Sequence, residues 1–298
     1  MPTTTVNDID ICYESFGPDD APPLLLVMGL GAQMTLWGPG FISELLRRGF
    51  RVIRFDNRDV GLSTKTAGDP PDVMALYLQA MAGEPVEAPY TLATMAADAA
   101  GLLEALGIPA AHVVGASMGG MIVQMMAIEH PERVLSLTSI MSATGATDVG
   151  QPDAAAIEAL LTPTPTDRDG AIEANVVTSR IICGPLFDEN EARERSIESY
   201  DRCFHPAGSA FQIAAIAATG DRTERLAAVK VPTLVSMVAT IHSSRCRVAR
   251  QLLLPFLVPT SWCLAKWAMT FPTCTGRNWQ TPSLPLPCVT ISREARVI

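Results

Sequence analysis

Apolar and polar positions alternate from Ile9 to Ser15, just after the turn signal Asn7-Asp8, as they do along a strand. Leu24-Leu25-Leu26-Val27-Met28 is a continuous apolar run ending in Gly29-Leu30-Gly31, and Val52-Ile53-Arg54-Phe55 is a second run, ending at Asp56. Leu92, Met95, Ala99, Leu102, Leu103 and Leu106 then recur at spacings of three and four, behind a Thr91 N-cap and ahead of Gly107, which predicts a helix. Val113-Val114 leads into Gly115-Ala116-Ser117-Met118-Gly119-Gly120, and an apolar helix follows to about Glu129. Pro131-Glu132-Arg133 introduces the run from Val134 to Met141, and Val231-Pro232-Thr233-Leu234-Val235 reads as one more buried strand. Apolar strands that alternate with helices predict a mostly parallel sheet covered on both faces. Ser142 to Lys230 is richer in Ala, Asp and Pro and lacks strand runs, which predicts a helical insertion over one end of the sheet. The expected division is therefore 1–141 for the first part of an α/β core, 142–230 for a helical cap and 231–298 for the last part of the core.

Composition adds two limits. A length of 298 residues fits one large α/β domain, and a net charge of -9 with a pI near 5.0 argues against a phosphate-backbone binder, so no nucleic acid is expected as a partner. The chain opens on polar residues without a basic stretch followed by an apolar one, and the expectation is a soluble, cytoplasmic protein. Seven Cys without a C-x-x-C pair fit neither a zinc ribbon nor a disulfide framework, so no metal is expected.

The composition also breaks abruptly. The 63 residues from Ser236 hold one of the 31 acidic residues (Glu294), seven of the 22 basic ones, four of the seven Cys and three of the four Trp. One globular domain rarely changes usage so sharply, and the tail needs its own account. Its apolar run from Leu252 to Ala265 is 14 residues long and contains Pro255 and Pro259, short of the roughly 20 residues a membrane span needs.

Gly115-Ala116-Ser117-Met118-Gly119 is a G-x-S-x-G between an apolar strand and an apolar helix. A nucleophile on so tight a strand-to-helix turn needs small neighbours, and the turn lifts Ser117 Oγ above the sheet. The helix that follows turns its N-terminal N–H groups and positive dipole end toward developing negative charge. The plain alternative is a helix N-cap serine among convenient glycines. An acyl-transfer intermediate needs two oxyanion donors, one from the residue after the nucleophile, Met118, and one from a loop after an early strand. Met28-Gly29-Leu30-Gly31 is placed for that, with Leu30 N–H as the candidate; the alternative is a plain glycine turn. Asp56-Asn57-Arg58-Asp59-Val60-Gly61-Leu62-Ser63 reads as a structural turn in which Arg58 and Asp56 pair and brace the site loops, with Asp56 as catalytic acid the lesser reading.

Together these segments resemble the α/β-hydrolase family, and within it the aclacinomycin methylesterase group and similar bacterial lipase/esterase-like serine hydrolases. The resemblance rests on Met28 to Gln33 with Trp37, on the Asp56-to-Ser63 turn and on Val114 to Met121, and it spans about residues 5 to 235. It implies an α/β-hydrolase fold with a helical cap, no cofactor, a small-molecule ester as substrate, and hydrolysis by a Ser-His-Asp triad. The same fold also hosts lactonases, C–C hydrolases and peroxidase-like members. Dehalogenase and epoxide-hydrolase relatives carry Asp where this chain has Ser117.

The resemblance then fails where the acid and the histidine belong. The acid should follow the Val231–Val235 strand within about five residues, yet Ser236-Met237-Val238-Ala239-Thr240-Ile241-His242 holds no carboxylate, and no His lies beyond His242. Of the remaining histidines, His112 sits at a strand start, His130 before a proline at a helix end and His205 in the predicted cap, each most simply structural. A catalytically impaired or non-catalytic homologue is thus an alternative; a lesser one is His242, near the acid's expected place, as an unconventional base.

Codons offer an explanation. Reading the tail from the third base of each implied codon turns Met237-Val238 into a forced Gly, followed by Gly, Arg, Ser or Cys, two positions open to Asp, and Pro, Thr or Ser. Lys266 to Pro272 becomes Met or Val, a forced Gly, a position open to His, a forced Asp, an aliphatic residue or Phe, and Pro or Ser. These match the family's Gly-x-Asp-x-Pro and Met-Gly-His-Asp-Leu-Pro, about 29 codons apart. The expectation is an out-of-frame tail from near Val235, with the last strand and helix of the fold missing or disrupted.

Overall fold

Asn7 and Asp8 both take left-handed backbone, φ 49 and 62, and so close a tight hairpin between β1 (Thr3–Val6) and β2 (Ile9–Phe16). Among the described residues five parallel strands follow: β3 (Pro23–Val27), β4 (Arg51–Phe55), β5 (Ala111–Ala116), β6 (Val134–Ile140) and β7 (Thr233–Ser236). The seven form one sheet in the order β1-β2-β4-β3-β5-β6-β7, with β1–β2 and β2–β4 antiparallel and the other pairings parallel. The computed structural model describes residues 1–148, 154–183 and 187–236.

The period of two along the strands sorts the core into two faces. Leu25 pairs in register with Ile53 and Val113, and that layer packs under α3 (Leu92–Ala105) and α4 (Met118–Glu129) through Leu92, Met95, Leu102, Ile122 and Met126. Leu24, Leu26 and Val52 point the other way, onto Trp37 and onto Phe41 and Ile42 of α1 (Pro39–Arg47). Each such side chain withdrawn from water contributes roughly 1.5–3 kcal/mol, so the burial of both faces dominates the stability of the sheet. The α3 helix starts on a capping box between Thr91 and Thr94. It ends where Ile108 N–H donates to Leu103 O and Gly107 N–H to Glu104 O, Gly107 having φ 68: a Schellman stop.

Between β4 and α3 lies α2 (Val73–Met81), capped by the Asp72 carboxylate. Between β6 and β7 the described residues form helices only: α5 (Ala154–Leu161), α6 (Arg168–Cys183), α7 (Glu189–Arg202), α8 (Ala207–Thr219) and α9 (Thr223–Leu226). The segment is pinned to the core by Arg222, 1% exposed, which donates to Gly220 O and Ala143 O at 2.9 Å each. Burial lowers the Arg222 guanidinium to about 10, still a cation near neutral pH.

The strands and helices expected from the apolar pattern are present, with small shifts at their ends. The last described strand begins at Thr233 rather than Val231, because Pro232 has no N–H and contributes only its carbonyl, which accepts from Leu137 N–H. Three elements were not read from the sequence: β1, with three threonines and only Val6 buried; α1, whose apolar face of Phe41, Ile42, Leu45 and Leu46 packs on the sheet but which Gly38 caps without a side-chain bond; and α2, which buries none of its residues. The expectations that concern the tail, namely the missing acid and histidine, His242 and the disrupted last strand and helix, fall outside the described residues.

Candidate active site

Ser117 ends the β5 strand and caps α4 with φ 55 and ψ -122, a backbone conformation that L-residues with a side chain rarely adopt. The neighbours explain why the chain can hold it. A Cβ on Gly115 would stand 2.1 Å from Gly119 O, and one on Gly119 would stand 2.1 Å from Val27 O, so only glycine lets strand, turn and helix approach this closely. Ser117 N–H donates to Ile140 O at 2.9 Å, which locks the turn to the neighbouring strand β6. Met118, 1% exposed, is the first residue of α4, and its N–H is one of the first-turn donors that have no intrahelical acceptor.

The loop after β3 passes directly over this turn. A Cβ on Gly29 would lie 3.1 Å from Ser117 Cβ and 3.0 Å from Ala116 O, so Gly29-Leu30-Gly31 is in contact with the serine. The Asn57 amide, 2% exposed, donates to Met28 O at 2.9 Å and sets the loop from below. Gly31 has φ 63, and its N–H donates to Gln212 Oε1 of α8 at 2.8 Å. Met28, Leu30, Ser117 and Met141 form the floor of a cavity of about 920 Å³, whose walls come from α2 and from α5–α8, including Met74, Ile182 and Ile213. The structure thus brings Ser117, Met118 and Leu30 together with Gly29, Gly31, Gly115 and Gly119.

Asp56 and Arg58 sit beneath the site loops but do not pair with each other as expected: each has a different partner. Asp56 is fully buried and accepts from Met34 N–H at 2.9 Å, from Leu62 N–H at 2.9 Å and from the Arg202 guanidinium at 2.7 Å. Arg58 reaches across to Asp98 of α3 in a two-pronged pair of 2.6 and 2.7 Å, with Asn7 Nδ2 donating to the same carboxylate at 2.9 Å. The reason is steric and electrostatic. Asp56 points inward, beneath the turn, whereas Arg58 lies over the Tyr90 ring at 4.8 Å on the side facing α3. With three donors on its oxygens and no border on the cavity, Asp56 is a brace and not an acid for Ser117. Next to it, burial and the Asp59 carboxylate that accepts its O–H at 2.5 Å push the Tyr90 phenol far above its usual range.

The described histidines lie elsewhere. His112 Nδ1 and Ser136 Oγ are 2.7 Å apart across β5 and β6, and burial lowers this imidazole. His130 closes α4, and His205, lowered by burial and then by Lys65, sits ahead of α8. Among the described residues none of the three borders the Ser117 cavity. Gln33 was read only as part of the Met28–Gln33 segment, and Asp98, Arg202 and Gln212 were not singled out from sequence; their partners lie 40 to 201 positions away, and no local spacing announces them.

A family model described as alpha/beta hydrolase fold matches residues 22–167. Rhodomycin D methylesterase of Streptomyces peucetius is 31% identical over 224 residues, which cover 66% of this chain and 68% of that protein. The chain belongs to the α/β-hydrolase family. Among solved structures, a hydrolase from Pseudomonas aeruginosa PA01 superposes with a TM-score of 0.61 at 22% identity, over 85% of this chain and 86% of that one. An enol-lactonase from Burkholderia xenovorans LB400 does so with a TM-score of 0.58 at 23% identity, over 85% and 87%. At such identities these two likenesses speak for the fold. Among the described residues no helix is long and apolar enough to cross a membrane.

Proposed function

We propose that this protein hydrolyses carboxylic esters of small molecules, with methyl esters as the preferred class, through an acyl-enzyme on Ser117. The observation that carries the reading is the strained turn that holds Ser117 at φ 55 on the floor of the cavity, in contact with the Gly29–Gly31 loop. Ser117 Oγ attacks the ester carbonyl, its proton passing to a base; the C–O bond forms as the carbonyl π pair moves onto oxygen. Leu30 and Met118 N–H then stabilise that oxyanion, collapse expels the alcohol as the base returns the proton, and water releases the acid by the same path. Methyl esters are favoured because a relative 31% identical is a methylesterase. A cavity of about 920 Å³ leaves room for a large acyl part behind the small leaving group.

The base and its acid belong, in this reading, to the restored reading frame after Ser236. Two hydrogen bonds support that placement: Ser117 N–H donates to Ile140 O, and Met141 N–H donates to Ser236 O at 2.8 Å, so Ser236 lies on the same side of the sheet as the serine, one strand beyond β6. The chain as printed is accordingly an impaired homologue, a second reading favoured by the lack of any Asp or Glu between Val235 and Glu294. The test is mass spectrometry of a panel of aryl and polycyclic methyl esters incubated with the frame-restored chain. Conversion to the free acids that disappears in Ser117→Ala supports the reading; intact esters throughout overturn it.

A further inference from the structure

The loop that carries Leu30 is held less by the sheet that bears Ser117 than by helices inserted more than 160 residues later. At Gly31 the holder is α8: Gln212 is fully buried, its Oε1 accepts from Gly31 N–H at 2.8 Å and its Nε2 donates to Arg58 O at 2.9 Å. The two contacts settle which end of the amide is which, since one partner is a donor and the other an acceptor. A Cβ on Gly31 would stand 2.5 Å from Ser209 Oγ, so loop and helix touch there without room to spare.

At Gln33 the holder is the last turn of α7. Gln33, 4% exposed, donates through Nε2 to Ser199 O at 2.7 Å, Ser199 Oγ at 3.0 Å and Cys203 O at 2.9 Å, capping the carbonyl end of that helix. Its Oε1 accepts from Arg202 Nη1 at 2.5 Å, while Arg202 Nη2 pairs with Asp56 at 2.7 Å, and Asp56 in turn accepts from Met34 N–H. Gln33, Arg202, Asp56 and Met34 thus close a ring of bonds that begins and ends on adjacent residues of the loop.

We propose that Gln212 and Arg202 are positioning residues of the hydrolytic site, which fix the Gly29–Gln33 loop against Ser117 and so make the helical segment part of the machinery that binds the oxyanion. The inference rests on the reading of Ser117 and Leu30 given above. Neither residue touches the reacting atoms; each acts through the loop. Its consequence is selective. Loosening the loop weakens binding of a negatively charged oxygen beside Ser117 and leaves apolar binding in the cavity alone.

The test uses the full chain as it stands and needs no turnover. Wild type, Gln212→Leu and Arg202→Lys are titrated with 2-naphthylacetate and with its neutral counterpart 2-naphthylacetamide, and amide exchange of the peptide spanning residues 29–33 is followed by mass spectrometry. Gln212→Leu keeps the volume and removes both bonds; Arg202→Lys keeps the charge opposite Asp56 and removes the second prong to Gln33, so a fold that rejects the first variant still yields the second. The expected result is a loss of roughly tenfold in carboxylate affinity for Gln212→Leu and roughly threefold for Arg202→Lys, with the amide within about twofold and exchange in the loop accelerated. A wild-type preference for the carboxylate that both variants retain overturns the proposal and leaves the hydrolase reading standing, whatever the exchange rates do. A wild type without that preference overturns the hydrolase reading, and the proposal with it.

Discussion

Ser117 is held in a conformation that costs roughly 1–3 kcal/mol for a residue with a side chain, against the glycines that make the turn possible. Glycine relieves that strain and alanine does not, so Ser117→Gly is expected to unfold about 1 kcal/mol later than Ser117→Ala in urea titration, both being inactive. Gly119→Ala, whose Cβ would lie 2.1 Å from Val27 O, is expected to lose at least about 3 kcal/mol or fail to fold. Both residues were legible in the sequence, because small residues two positions either side of a serine between an apolar strand and an apolar helix encode the turn locally. Gln33, Arg202 and Gln212 were not: an amide or a guanidinium that meets its partner across some 150 to 180 positions leaves no spacing to read. The Asp56–Arg58 pairing shows the same limit, since two opposite charges close in sequence were drawn together on proximity alone, while the turn points them to different elements.

At the scale of elements, α3 is joined to the site turn by the Arg58–Asp98 pair, 11% and 2% exposed. Breaking a buried pair strands a charge, so Asp98→Ala is expected to cost about 3 kcal/mol, whereas Arg58→Met with Asp98→Leu recovers most of that loss in the same unfolding measurement. The β5–β6 pair carries a pH response through His112. Burial lowers its folded pKa from the ordinary 6.5, so the unfolded chain takes up the proton more readily. Its contribution to stability is full above 6.5 and declines as pH falls through that value toward the folded pKa. Melting curves at stepped pH check this: His112→Gln is expected to show a shallower fall in Tm below 6.5 than wild type. Strands β2 to β6 and helices α3 and α4 could be read because their apolar runs are buried on one or both faces. The β1 strand and α2 left weak periodic signals, an edge strand of threonines and a helix that buries none of its residues, whereas α1 carries a clear apolar face, Phe41, Ile42, Leu45 and Leu46, over only nine residues and with no side-chain cap to mark its start.

At the scale of the molecule, the acidic body and the basic, cysteine- and tryptophan-rich tail divide near Val235, where β7 runs alongside β6 next to the Ser117 turn. The proposed serine hydrolase, built on the described residues, therefore needs the restored reading frame to carry its base and acid. Removing such a base lowers kcat on the order of 10^6 in a well-studied serine hydrolase, an effect no rearrangement of cap or loop would imitate. The measurement that tests this most directly is hydrolysis of p-nitrophenyl butyrate by the printed chain and the frame-restored chain side by side, each with its Ser117→Ala variant. Turnover is expected in the restored chain alone, abolished by Ser117→Ala. A restored chain without Ser117-dependent turnover contradicts the hydrolase, and Ser117-dependent turnover in the printed chain contradicts the frame.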